Sequence, residues 1–121
     1  MSNEVVHFEI IGTEPAALRR YYAELFGWRT DDADAATEVS DRGAYGFVSG
    51  AGVAGGIGGG PSFTPHTVVY VAVDDVEAAL SHAERLGGTR VFGPSRNPDG
   101  SVEVGQFRDP EGNLVGVAHP L

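Results

Sequence analysis

The chain has 121 residues, one domain's worth on a prior of roughly 100–200 residues per domain, and its 41% hydrophobic and 21% charged residues fit an ordinary globular protein. Eight arginines, no lysine and seventeen acidic residues leave a formal charge of −9, which repels a phosphate backbone and excludes Schiff-base and phosphate-loop lysines. There is no cysteine, hence no disulfide, thiolate ligand or cysteine nucleophile.

No apolar run approaches the roughly 20 residues of a membrane helix, and the N-terminus has no basic segment followed by an apolar one. The expectation is a cytoplasmic protein with no nucleic-acid or membrane partner.

In chain order, Val5 to Ile11 reads as a strand, with Phe8 and Ile10 on one face and His7, Glu9 and Ile11 on the other. Thr13 is the expected cap and Pro15 the first-turn residue of a helix. Leu18, Tyr21, Tyr22 and Leu25 form its apolar face and Gly27 its stop. A strand opens at Trp28–Thr30, an acidic turn follows over Asp31–Ala36, and another strand spans Ala44–Ser49. Gly50 to Gly55 matches the dinucleotide fingerprint letter for letter. The glycines and Pro61 that follow forbid the helix such a site needs, so the match is coincidental.

The second half opens with the β-branched run Thr67–Val73. Asp74 and Glu77 then resemble a capping box. Val76, Ala79, Leu80, Ala83 and Leu86 supply an apolar helix face that Gly87-Gly88 ends. Strands through Arg90–Phe92, Val102–Arg108 and Asn113–Ala118 follow, joined by turns rich in Asn, Pro, Asp and Gly.

The halves align with each other at an offset of 61 positions: Ala17 falls on Ala78, Leu25 on Leu86, Gly27 on Gly88 and Arg29 on Arg90. Two strand–helix–strands modules follow. Each helix covers one sheet face and leaves the other for a cavity.

These residues resemble the vicinal oxygen chelate superfamily, which includes glyoxalase I, ring-cleaving dioxygenases and bleomycin-resistance proteins. The carriers are His7-Phe8-Glu9-Ile10, the helix Leu18 to Trp28, Tyr70 to Ala79, and Phe107-Arg108-Asp109-Pro110-Glu111-Gly112-Asn113-Leu114. The resemblance implies an α+β fold of two βαβββ modules forming a cupped mixed sheet, commonly in a homodimer. It places module 1 at 4–58, a linker at 59–66 and module 2 at 67–121.

Metal-using members of the superfamily take one ligand from the first and one from the last strand of each module. His7 matches the first position. The second-module positions fall on Val68 and Gly116, and the remaining one near Gly55 or Gly56, none of which has a donor side chain. A divalent ion generally needs three or more protein donors, so no cofactor is expected. Glu9 and His66 are the residues through which a noncanonical ion could be held.

His7 and Glu9, two apart on one strand, share a face and serve either as an acid/base pair or as polar lining of a cavity. Tyr70 shares the parity of Val68 and points either into the cup or into the core. Gln106 and Phe107 take opposite faces, and their order is open. Tyr21, Tyr22, Leu25 and Phe26 are expected to pack α1 on its sheet. Phe8, Ile10, Val69, Val71, Val73, Val115 and Val117 are expected beneath the helices. The ligand site then comprises His7, Glu9, Tyr70, Val68, Leu114 and Gly116, with Trp28 and His66 at its mouth.

The function expected is metal-independent binding of a drug or metabolite. The alternative is a lyase, epimerase or hydrolase in which His7 and Glu9 transfer protons.

Overall fold

The computed structural model describes residues 2–120, which divide into two compact units: residues 7–67, and residues 68–120 together with the N-terminal segment 2–6. The elements are β1 (Val5–Gly12), α1 (Pro15–Phe26), β2 (Arg29–Asp32), β3 (Gly46–Ser49), β4 (Gly55–Gly59), β5 (His66–Ala72), α2 (Val76–Arg85), β6 (Thr89–Arg96), β7 (Val102–Arg108) and β8 (Leu114–Pro120).

The order is βαβββ twice, an α+β fold with mixed sheets. In the 7–67 unit the strands lie in the order β2-β3-β4-β1, with β1 parallel to β4 and the other pairs antiparallel. In the C-terminal unit the order is β5-β8-β7-β6, with β5 parallel to β8 and the rest antiparallel. The repeat survives in the element starts, since Val5 and His66, like Pro15 and Val76, stand 61 positions apart.

Both helix starts differ from expectation. Glu14, not Thr13, is the N-cap of α1, and it makes no side-chain cap hydrogen bond. Pro15 at the first position dictates this, because a residue before proline is driven out of helical geometry; Glu14 has φ −129° and ψ 75°. At α2 the cap is Asp75 rather than Asp74, its carboxylate accepting from Ala78 N at 2.9 Å. Starting one residue later puts Val76 and Leu80, one turn apart, both fully into the core. Glu77 is thereby released from a capping box and binds Arg90 of β6 at 2.7 and 2.9 Å.

The two helices bury very different amounts. Val76 and Leu80 of α2 form a core with Val117, packed by Val73, Ala79 and Phe107. No residue of α1 is buried: Tyr21, Leu25 and Phe26 are each more than half exposed, contrary to the expected packing face. Leu18 instead settles against Gly12, while Tyr22 and Phe26 join Trp28 and Phe8 in a ring cluster with centroids 5.1–6.1 Å apart. Leu86, expected on the α2 face, caps the helix C-terminus and is exposed.

Strand parity brings a further correction. Val69, expected beneath α2, is 43% exposed, whereas its neighbours Val68 and Tyr70 are buried. Val117 is buried as expected, and Phe107 lies on the α2 side. Gln106 therefore takes the opposite face of β7.

Candidate functional site

In the 7–67 unit the segment between β2 and β3 folds back over β4. Ala36, Val39, Ser40 and Tyr45 are buried, and Ser40 Oγ accepts from Gly59 N at 3.0 Å. Asp41 N donates to the Gly59 carbonyl at 3.0 Å, which pins the segment a second time. Tyr45 is thereby laid over Gly56 and Gly58. A Cβ at Gly56 would collide with the Tyr45 hydroxyl, and one at Gly58 would stand 2.7 Å from the ring. The alternate glycines make room for the chain's own tyrosine.

The β1–β4 register sets Glu9 opposite Gly56, so the Tyr45 ring delivers its hydroxyl to β1. Tyr45 Oη donates to Glu9 Oε2 at 2.9 Å and meets His7 Nε2 at 2.8 Å. His7 Nε2 and Glu9 Oε2 are 3.9 Å apart. Sequence parity put His7 and Glu9 on one face, and the structure joins them through a third residue.

Burial disfavours the charged imidazole and pushes the His7 pKa down to about 4, so the ring is neutral at physiological pH. The phenol has one proton. While that proton goes to Glu9, the ring nitrogen facing the phenol oxygen must itself donate, which places the imidazole proton on Nε2. Glu9 thus has an oriented donor although its side chain is only 6% exposed, and His7 at 21% is the more accessible end.

The C-terminal unit holds a related arrangement. Tyr70 of β5, Gly116 of β8 and Gln106 of β7 lie in register across three strands. A Cβ on Gly116 would collide with the Tyr70 ring. Gln106 Nε2 donates to Tyr70 Oη at 2.8 Å, and both residues are buried. Val68 is buried on the same face of β5, and Leu114 is half-buried at the start of β8.

Two other expected members sit elsewhere in the 7–67 unit. Trp28 packs on Phe8, whose side chain alternates with those of His7 and Glu9, so the indole lies on the α1 side of the sheet. His66 opens β5, and its Nδ1 donates to the Thr64 carbonyl at 2.7 Å.

Of the positions at which the superfamily holds a metal, His7 alone carries a donor side chain. The space over Gly55 is taken by the Phe8 ring, that over Gly56 by Tyr45 and that over Gly116 by Tyr70. Among the described residues no group of three or more His, Asp or Glu stands close enough to ligate one ion. These residues do not fit a divalent metal.

A cavity of about 380 Å³ lies at the start of α1, lined by Glu14, Ala16, Arg19, Arg20 and Gly43 among others, and includes none of the expected site residues. Arg19 there is tied to Thr30 at 2.9 Å and Asp32 at 3.0 Å.

Sequence reasoning missed Tyr45 and left Gln106 undecided. For Tyr45 the available signal was the alternation of Gly56 with Gly58, which marks a strand face cleared for a ring from elsewhere in the chain.

Residues 7–118 match the family model described as glyoxalase-like domain. No curated protein sequence matches. Among solved structures, a hypothetical protein from Bacillus halodurans C-125 superposes with a TM-score of 0.72 at 13% identity, over 100% of this chain and 96% of that one. A Streptomyces coelicolor methylmalonyl-CoA epimerase variant in complex with 2-nitronate-propionyl-CoA gives 0.69 at 14%, over 99% and 96%. Methylmalonyl-CoA epimerase from Mycobacterium tuberculosis gives 0.66 at 14%, over 97% and 87%. At such identities the likeness establishes the fold.

Proposed function

Because the chain belongs to the glyoxalase-like domain family of the vicinal oxygen chelate superfamily, we propose that it is a metal-independent, cytoplasmic, homodimeric small-molecule-binding protein. It takes a drug or metabolite on the sheet face bearing His7 and Glu9. One observation carries the reading: where metal-using relatives place ligands, this chain has Val68 and ring-covered glycines, and His7 is engaged with Tyr45 at 2.8 Å. A neutral imidazole beside a buried carboxylate and a phenol offers directional hydrogen bonding to a polar organic ligand without a metal charge.

Elemental analysis of protein purified without chelators tests the reading. It predicts no stoichiometric Zn, Ni, Mn or Fe, and a stoichiometric ion lost in His7→Ala overturns it. Light scattering at micromolar concentration tests the dimer, which a monomeric mass across a wide concentration range contradicts.

A second reading is supported by the hydrogen-bonded series His7, Tyr45, Glu9, with separations of 2.8 and 2.9 Å. It is that of an enzyme transferring a proton to and from carbon beside a carbonyl, and solved structures that share the fold include methylmalonyl-CoA epimerases. Deuterium incorporation into methylmalonyl-CoA in heavy water, with this thioester as probe, tests it. Exchange abolished by His7→Ala supports turnover, and exchange equal to a protein-free control removes it.

A further inference from the structure

We infer that Tyr45 is the positioning residue that joins His7 and Glu9 into a single proton-carrying chain, so that a proton taken up at His7 comes to rest on Glu9. The inference rests on the proton-transfer reading of this site and adds a residue and a route to it.

The geometry supplies the two links, 2.8 Å from His7 Nε2 to Tyr45 Oη and 2.9 Å from Tyr45 Oη to Glu9 Oε2. The direct separation of His7 and Glu9, 3.9 Å, is too long for a hydrogen bond, and the phenol bridges it. Tyr45 is held in this place from below and from the side. Its ring lies on the Gly56 and Gly58 backbone, and the neighbouring Ser40 and Asp41 bind Gly59. β4 could carry a side chain at neither glycine without displacing the hydroxyl or the ring.

The step balances as follows. A carbon-bound proton of the substrate moves to His7 Nδ1, and its electron pair stays on the substrate carbon. The proton on Nε2 passes to Tyr45 Oη, and the Tyr45 proton passes to Glu9 Oε2. The imidazole ends as the opposite neutral tautomer, the phenol is regenerated, and the carboxylate becomes a carboxylic acid. One negative charge leaves Glu9 and one appears on the substrate. Reversal returns the proton to either face of the carbanion that the substrate presents.

The chain resolves a conflict in the site. Burial makes an imidazolium at His7 costly, so His7 alone is a poor base, yet it is the accessible end, with 21% of its side chain exposed against 6% for Glu9. Relayed through Tyr45, the proton is stored on the inaccessible carboxylate and the imidazole is never charged.

The test is nitrogen NMR of the full chain labelled at histidine, with Tyr45→Phe as the variant because it keeps the ring on its glycine floor and deletes only the hydroxyl. Wild type is expected to hold His7 as a single neutral tautomer protonated on Nε2 at neutral pH, and Tyr45→Phe to show mixed tautomers. With methylmalonyl-CoA as probe, Tyr45→Phe and Glu9→Gln are each expected to slow deuterium exchange about 100-fold at saturation, with KM within about twofold. The double variant is expected to fall no further.

An Nδ1-protonated His7 in wild type overturns the inference without any variant having to fold. So does a Tyr45→Phe protein with wild-type tautomer and exchange rate. A tautomer that responds to Tyr45→Phe in a protein that exchanges no carbon-bound proton retires the proton-transfer reading and leaves the role of Tyr45 standing.

Discussion

The two units use the same device for different ends. In each, a last-strand glycine clears space for a tyrosine whose hydroxyl then meets a buried polar group: Tyr45 over Gly56 in one, Tyr70 over Gly116 in the other. In the 7–67 unit the phenol contacts two ionisable residues, His7 and Glu9. In the C-terminal unit it accepts from Gln106, which does not titrate. The glycine floor is therefore a packing solution that the two units share, while the groups met at the hydroxyl differ.

The largest effect that separates the units is acid sensitivity. The folded pKa of His7 is about 4 and its ordinary value 6.5, so the unfolded chain takes up the proton first as pH falls. Stability credited to the neutral imidazole is fully present above 6.5 and is lost between 6.5 and 4. The loss amounts to at most about 3 kcal/mol. Denaturant melts of wild type and His7→Phe across this range are expected to converge as pH falls, whereas Asp75→Ala, at the α2 cap of the C-terminal unit, is expected to run parallel to wild type. A His7→Phe curve parallel to wild type would remove the distinction.

Next come the floors themselves. Gly116→Ala drives a methyl into the body of the Tyr70 ring and is expected to cost about 2–3 kcal/mol in chemical denaturation. Gly56→Ala meets the hydroxyl end of Tyr45, which can yield by leaving His7 and Glu9, so about 1–2 kcal/mol is expected. Equal costs would mean that Tyr45 is as immovable as Tyr70.

The smallest contrast lies at the helix starts. Asp75→Ala removes a side-chain cap and is expected to cost about 1 kcal/mol, while Glu14→Ala, which caps nothing through its side chain, is expected to be close to neutral. Thermal melts of the two variants make the comparison.

What sequence discloses here is whatever is encoded locally. The 61-residue offset of the element starts, Val102–Arg108 as a strand and the shared face of His7 and Glu9 all follow from nearest-neighbour patterns. What it hides is decided across space. Tyr45 stands 36 positions from Glu9 and reaches it only because the segment before β3 folds back on β4. Likewise Val69 is exposed while Val68 and Tyr70 are buried, because what covers a strand face is set by tertiary packing and not by the strand's own alternation. The apolar stripe of α1 misleads for a related reason, since its aromatic residues pack on one another and on Trp28 as much as on the sheet.

The central claim, a metal-independent ligand site on the face of His7 and Glu9, is tested most directly by calorimetric titration, in excess chelator, of a compound selected by small-molecule thermal-shift screening. Wild type and the control His82→Ala, at an exposed residue of α2, are expected to bind equally, and His7→Ala about tenfold or more weakly, the loss of one hydrogen bond to a desolvated group. Equal affinity in all three proteins, or binding that chelator abolishes, would contradict the account.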